Sequence, residues 1–195
     1  MVVSGPSGVG KGTVLKHISS FKGVSVSVSA TTRKPRELEK DGEDYYFISR
    51  EEFLENIKKG EMVEYNEYCG NFYGTIKSKL EDLLKKNEIV LLEIDVNGAS
   101  LVSKKLDCVK IFLLPPSFNE LKKRLILRGT ETKENVEKRL KQAYIEMKDI
   151  YSYDYVVVND EINNAVEKIK SIAKAESFKV KRRKFEIEEI LKSLL

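Results

Sequence analysis

A chain of 195 residues, 41% hydrophobic and 34% charged, has enough apolar material to bury one full core and falls in the globular class. Its 35 basic and 31 acidic groups are intermixed and leave a formal charge of only +4. That balance argues against a dedicated nucleic-acid binder but leaves room for a local basic pocket. No apolar run approaches the length of a membrane span and no charged-then-apolar leader opens the chain. Cys69 and Cys108 show neither metal-ligand spacing nor a disulfide framework, so a reducing, cytoplasmic setting is expected.

In chain order, Met1–Ser4 reads as a short buried strand leading into GPSGVGKGT (Gly5–Thr13). Gly5 leaves little room for that strand, and the natural chain is expected to begin several residues earlier. The stretch fits G-x-x-x-x-G-K, a pattern in which glycines turn backbone N–H groups onto a phosphate. A helix over Thr13–Ser20 would add the positive end of its dipole, and Lys11 a full charge. Position 12, where a magnesium-binding hydroxyl is usual, holds Gly12. Taken alone, a glycine-rich turn without a ligand is the competing explanation; the strand before and the helix after favour a phosphate loop.

Val24–Val28 is the next buried strand, followed directly by SATTRKPR (Ser29–Arg36). Arg33 and Arg36 stand three apart, and Tyr45, Glu64 and GNFYGT (Gly70–Thr75) follow. Arginines so spaced can grip one phosphate from two sides, with tyrosine hydroxyls adding neutral hydrogen bonds. Singly, each arginine is an ordinary surface residue, and Glu64 an ordinary strand glutamate. The tyrosine-rich pieces Asp44–Ile48 and Met62–Tyr68 suggest a small β-rich insertion across Ala30–Thr75. Within it, Ser49–Glu52 has the form of a capping box for a helix through Lys58.

Ile76–Lys86 reads as a helix and Ile89–Ile94 as a strand, then Val109–Leu114 as another strand. A second capping box, Ser117–Glu120, leads into Leu121–Leu127, and Lys133–Lys148 is helical after a break at Gly129. Tyr155–Val158 is the last strand and Ile162–Glu176 the next helix. This alternation predicts an α/β fold, a parallel sheet with helices on both faces. KVKRRK (Lys179–Lys184) is a charge run, read as a solvated helix end in preference to a nucleic-acid contact.

The chain resembles the guanylate kinases, of the bacterial type within the nucleoside monophosphate kinases, nearly from end to end. The resemblance rests on GPSGVGKGT, SATTRKPR, Glu64 with GNFYGT, LEIDVNG (Leu92–Gly98), LLPPS (Leu113–Ser117), RLILRG (Arg124–Gly129) and VVND (Val157–Asp160). It implies a P-loop parallel sheet flanked by helices, with a small β-rich GMP-binding insertion and a helical lid. The core would be residues 1–30, 76–117 and 149–195, the insertion 31–75 and the lid 118–148.

By the same resemblance, Gly5, Pro6, Ser7, Gly8, Val9, Gly10, Lys11, Gly12 and Thr13 would hold ATP, with Asn159 near its adenine. Arg33, Arg36, Tyr45 and Tyr73 would hold the GMP phosphate, while Ser29, Glu64, Thr75 and Asp95 read the guanine. Guanine presents adjacent N1–H and N2–H donors to a carboxylate where adenine presents an acceptor, and such mismatches discriminate strongly. Lys11, Arg124, Arg128 and Arg139 would supply positive charge during phosphoryl transfer. Mg2+ would be held mainly through phosphates and water, with Asp95 as the protein-side candidate. Gly-Lys-Gly-Thr in the loop is common among nucleoside monophosphate kinases, which accounts for Gly12.

Four positions depart from the commonest pattern: Glu93 for aspartate, Asn97 for glutamine, Thr75 for serine, and Leu38 for a glycine after the Pro-Arg pair. The implied partners are the small molecules ATP and GMP, with no nucleic acid, no membrane and no stated oligomeric form. Two other readings compete with this one: a catalytically dead module that binds protein partners, and a kinase for another monophosphate. Retention of Lys11 and the arginines argues against the first. Ser29, Glu64 and Thr75 together argue against the second.

Overall fold

In the computed structural model, which describes residues 1–68, 70–86, 89–127 and 133–193, a run of short strands and helices follows the expected rhythm. The elements are β1 (Val2–Ser4), α1 (Lys11–Ile18), β2 (Val24–Ser27), β3 (Ala30–Thr31), β4 (Tyr46–Phe47), α2 (Arg50–Lys58), β5 (Met62–Tyr68) and β6 (Asn71–Ile76). They continue as α3 (Lys77–Lys86), β7 (Ile89–Glu93), α4 (Val96–Lys105), β8 (Lys110–Leu114), α5 (Phe118–Leu127), α6 (Lys133–Lys148), β9 (Tyr155–Val158), α7 (Ile162–Ser177) and α8 (Lys184–Lys192).

Five strands pair in parallel in the order β2-β7-β1-β8-β9. Successive side chains of a strand face opposite ways, so a strand covered on both faces must be apolar throughout. Val3, Leu91, Ile111 and Leu113 point to one face, where Val14, Leu15 and Ile18 of α1 meet Ala165, Val166 and Ile169 of α7. Val2, Val90 and Leu92 point to the other, against Leu80 of α3 and Ala99 and Val102 of α4. Both helical layers are therefore fixed by alternation within β1 and β7.

A second sheet, ordered β4-β3-β6-β5, is antiparallel except where β3 meets β4. Its small core is Ala30, Phe53, Met62 and Phe72, with the Phe53 and Phe72 rings stacked at 5.3 Å. The Ser49 side chain caps α2 by accepting from the Glu52 N–H at 3.1 Å. Ser117 accepts from the Glu120 N–H at 3.1 Å ahead of α5, whose Leu121 and Leu125 pack on Val136 and Ala143 of α6.

Three details differ from the sequence reading. Helix α1 begins at Lys11 because Gly10, in the left-handed region, forms its N-cap and accepts from the Val14 N–H at 3.1 Å. Helix α4 was not expected; Asp95 caps it through the Gly98 N–H at 2.7 Å. Helix α8 was not expected either, and the basic run before it is drawn into ion pairs. Lys179 pairs with Glu176 at 2.6 Å, Lys181 with Asp107 at 2.9 Å, and Arg183 with Glu186. Among the described residues no helix is long and apolar enough to cross a membrane.

The second sheet has so few buried side chains that one large deletion should undo it. Phe53→Ala removes a fully buried ring and should cost about 3–5 kcal/mol, the usual range for such truncations. Denaturant unfolding measures this directly; a loss below about 1 kcal/mol would mean that Phe53 does not hold this layer together.

Candidate active site

The loop after β1 leaves the sheet at its middle, with β7 and β2 to one side and β8 and β9 to the other. Crevices beyond the carboxyl ends of strands at such a point are where α/β sheets take ligands. Gly8 and Gly10 have φ of 87° and 96°, a region that side chains disfavour. Space excludes a side chain as well: a β-carbon on Gly8 would lie 2.6 Å from Leu125 Cδ2, and one on Gly10 would lie 2.8 Å from Asn159 Nδ2.

Neighbouring elements hold this loop by its carbonyls. Val9 O accepts from Asn159 Nδ2 at 2.8 Å and from Arg124 Nη1 at 3.3 Å. Arg124 also donates to Asn159 O at 3.1 Å and to Glu120 at 3.2 Å, which ties α5 to the loop and to the end of β9. From α6, Arg139 Nη1 donates to Ser7 Oγ at 3.2 Å. Lys11 Nζ folds over the loop, donating to Gly5 O at 2.6 Å and Pro6 O at 3.3 Å. The first N–H groups of α1 have no partner within the helix, as at any helix N-terminus, and together with Lys11 they make the loop a seat for an anion.

The loop forms one end of a cleft of about 1370 Å³. That exceeds the volume of an ordinary single-ligand pocket and leaves room for two nucleotides. Ser29, Tyr45, Glu64, Tyr73 and Asp95 line the same cleft as Gly5, Ser7, Lys11, Gly12, Thr13 and Arg139. Glu64 is only 4% exposed and accepts from Thr75 Oγ1 at 2.8 Å. Burial pushes its carboxyl up to about 7, against the opposing pull of the Thr75 hydrogen bond. Asp95 accepts from Gly98 N–H with one oxygen and from Asn66 Nδ2 at 2.8 Å with the other, which links the second sheet to α4.

The expected phosphate-binding group is brought together in part. Tyr45 and Tyr73 meet edge to face at 6.0 Å, and the Arg33 guanidinium lies 5.4 Å from the centre of the Tyr45 ring. Neither Arg33 nor Arg36 lines the cleft, and Arg36 is exposed on its loop. Asn159 is buried behind the phosphate loop, where its amide supports Val9. Arg128 lies outside the described residues.

Some groups at the cleft escaped the sequence reading as site residues. The Glu93 carboxylate stands 3.5 Å from where a Gly12 β-carbon would be. Gln142 and Glu146 of α6 and the following Asp149 also line the cleft. Their spacing from Arg139 is that of one helix face, so the signal was present in the sequence. Gln142 Nε2 donates to Glu146 at 3.1 Å, and burial pushes the Glu146 carboxyl up although the Lys11 charge draws it down.

The family model for guanylate kinase matches residues 1–176. A curated guanylate kinase of Clostridium tetani is 50% identical over 183 residues, 93% of this chain and 88% of that protein. One from Lactiplantibacillus plantarum is 50% identical over 194 residues, 98% of this chain and 94% of the relative. The chain belongs to the guanylate kinase family. Its fold agrees: the crystal structure of the guanylate kinase from Anaplasma phagocytophilum superposes with a TM-score of 0.76 at 39% identity, over 93% of this chain and 87% of that one. Guanylate kinases are ATP:GMP phosphotransferases, and the two ends of the cleft are to be read in that light.

For a guanylate kinase the protonation of Glu64 has a direct consequence. The folded protein holds a proton here that the unfolded chain would release, so ionising Glu64 costs stability increasingly from the ordinary carboxylate range up to about pH 7, and fully above it. Only the ionised form accepts two N–H donors from a guanine edge. Guanosine, which lacks the phosphate's own titration at about pH 6, should therefore bind progressively more weakly as the pH falls below 7. Calorimetric titration against pH, with Glu64→Gln as the flat control, checks this. A pH-independent guanosine affinity in the unaltered protein would remove Glu64 from guanine recognition.

Proposed function

We propose that this chain transfers the γ-phosphoryl group of ATP to GMP, giving ADP and GDP, with ATP on the Gly5–Thr13 loop and GMP against the second sheet. The observation that carries the reading is a single cleft lined by the phosphate loop, by a buried carboxylate, Glu64, and by Tyr45 and Tyr73. A GMP phosphate oxygen attacks the γ-phosphorus in line, and the bond to the β–γ bridging oxygen breaks as ADP leaves.

The protein's part is positioning and charge. The loop N–H groups and Lys11 hold the donor's phosphates, and Thr13 would bond one of them. Arg33, Arg36, Tyr45 and Tyr73 hold the acceptor phosphate, while Ser29, Glu64, Thr75 and Asp95 read its base. Arg124 and Arg139 reach the loop from α5 and α6, where exchanging neutral oxygens for phosphate would strengthen their hydrogen bonds. Arg128 is assigned with them on family resemblance. Asn159 stands near the donor's adenine in the same scheme.

Magnesium, when bound with ATP, neutralises charge on the phosphates. The oxygen donors Glu93 and Asp95, on the cleft wall with Gly12 and Thr13, suit a hard, hydrated cation of this kind. We assign residues 31–75 to an acceptor-binding insertion and 118–148 to a lid, both closing on a core of 1–30, 76–117 and 149–195, which would keep water from the transferring group. Acting on free ATP and GMP, with no nucleic-acid or membrane partner assigned, the enzyme would work in the cytoplasm.

With magnesium and ATP, purified protein should phosphorylate GMP and turn over AMP poorly; equal rates with AMP would overturn the guanine assignment. The loop makes a further prediction. A β-carbon on Gly12 would make only ordinary van der Waals contact with Glu93, so Gly12→Ser should retain activity within about tenfold, ~1.4 kcal/mol of transition-state energy. Lys11→Ala should cost more than about 100-fold in kcat, because it removes a charge beside the transferring group. Equal damage from both changes would show that the loop depends on Gly12 itself.

A further inference from the structure

The arginine that the proposed function gives to the acceptor phosphate is already held by a carboxylate with no assigned role. Glu39 takes the end of the Arg33 guanidinium in a two-pronged pair, Nη1 to Oε2 and Nη2 to Oε1, each at 2.8 Å. Arg33 Nη1 also donates to Lys34 O at 2.7 Å. The same Glu39 Oε2 accepts from the Arg36 backbone N–H at 2.8 Å, and the Glu39 N–H donates back to Arg36 O at 3.0 Å. One side chain thus fixes the guanidinium of one candidate phosphate ligand and the backbone of the other.

We propose that Glu39 is the positioning residue of the acceptor-phosphate site: it orients Arg33 and shapes the Arg33–Arg36 turn before GMP arrives. The proposal rests on Arg33 and Arg36 being the acceptor-phosphate ligands. Several observations support it. The turn is exposed, with Leu38 91% accessible, so apolar packing does little to hold it.

The Arg33 and Glu39 side chains are only 19% and 18% accessible, which protects the pair from full solvent screening. The Arg33 guanidinium holds the Glu39 carboxyl below its ordinary range, so it is charged at neutral pH. With its end edge taken, the planar guanidinium presents its Nε side to a second anion. Tyr45 lies beneath the same guanidinium, and Tyr73 packs edge to face on Tyr45. An unrestrained arginine would have to give up rotamer freedom on binding, whereas this one has already done so.

The test compares GMP with guanosine in Glu39→Gln, which keeps the shape of the side chain but loses its charge and one acceptor. GMP KM should rise about tenfold while kcat and ATP KM stay within about twofold, the signature of lost substrate binding. The guanosine Kd should not change, because the base end of the cleft is untouched. Arg33→Ala serves as a separate arm and should itself raise GMP KM. Adding Glu39→Gln to Arg33→Ala should then cost less than about threefold more, since coupled residues are not additive.

An unchanged GMP KM in Glu39→Gln, beside a raised one in Arg33→Ala, would sink the role of Glu39 and leave the site assignment standing. A lowered GMP KM would overturn it too, because Glu39 would then be competing with phosphate for Arg33. An equal loss of guanosine affinity would reduce Glu39 to a general structural residue. No effect of Arg33→Ala on GMP would remove the site assignment itself.

Discussion

The phosphate loop must present its N–H groups inward while its own backbone supplies little to hold that shape. Inside the loop, Val9 N–H reaches Pro6 O at 3.2 Å and Val14 N–H reaches Gly10 O at 3.1 Å. Lys11 adds its bonds to Gly5 O and Pro6 O, and the rest of the support comes from outside. Asn159 and Arg124 converge on the Val9 carbonyl, Leu125 packs where a Gly8 side chain would be, and Arg139 reaches Ser7. These contacts come from the end of β9 and from α5 and α6, so the loop's shape is coupled to the helices that pack over it. A shift of α5 would break the Arg124 bonds to Val9 and Asn159 together. Such coupling lets donor binding and helix position influence one another through named hydrogen bonds.

The acceptor end is built on another principle. Its sheet has a four-residue core, and its attachment to the main sheet includes the Asn66–Asp95 hydrogen bond at 2.8 Å and the approach of Glu64 to Gly98. Under the proposed function, recognition there would rely on buried polar groups whose mismatch is costly, Glu64 foremost, and not on apolar area. Asp95 has two structural duties, capping α4 and accepting from Asn66, beyond any contact with base or metal water. Asparagine can still cap a helix, so a change to asparagine at this position separates its charge from its capping role.

Much of the fold was legible. The strands Met62–Tyr68 and Tyr155–Val158 and the helix Lys133–Lys148 have the bounds that pattern alone suggested, the first and last from their length and the second from its run of valines. Helix α4 was not legible: Val96, Asn97, Gly98 and Ser100 are weak helix formers, and the helix exists because Asp95 caps it and Ala99 and Val102 are buried. The loop, and the paired arginines as candidate phosphate ligands, could be read from spacing. The hold of Glu39 on Arg33 could not, since it depends on a turn that no periodicity announces. Nor could the support Asn159 gives to Val9, which requires β9 to lie beside β8.

The central claim is that one cleft holds a donor's phosphates on the Gly5–Thr13 loop and a guanine at Glu64 at the same time. An adenosine and a guanosine joined through a polyphosphate chain long enough to replace both substrates test it most directly. Because the second contact becomes intramolecular, the conjugate should bind at least about 100-fold more tightly than ATP or GMP alone. Lys11→Ala and Glu64→Gln should each reduce that advantage. A conjugate that binds no better than the tighter single nucleotide would contradict the account.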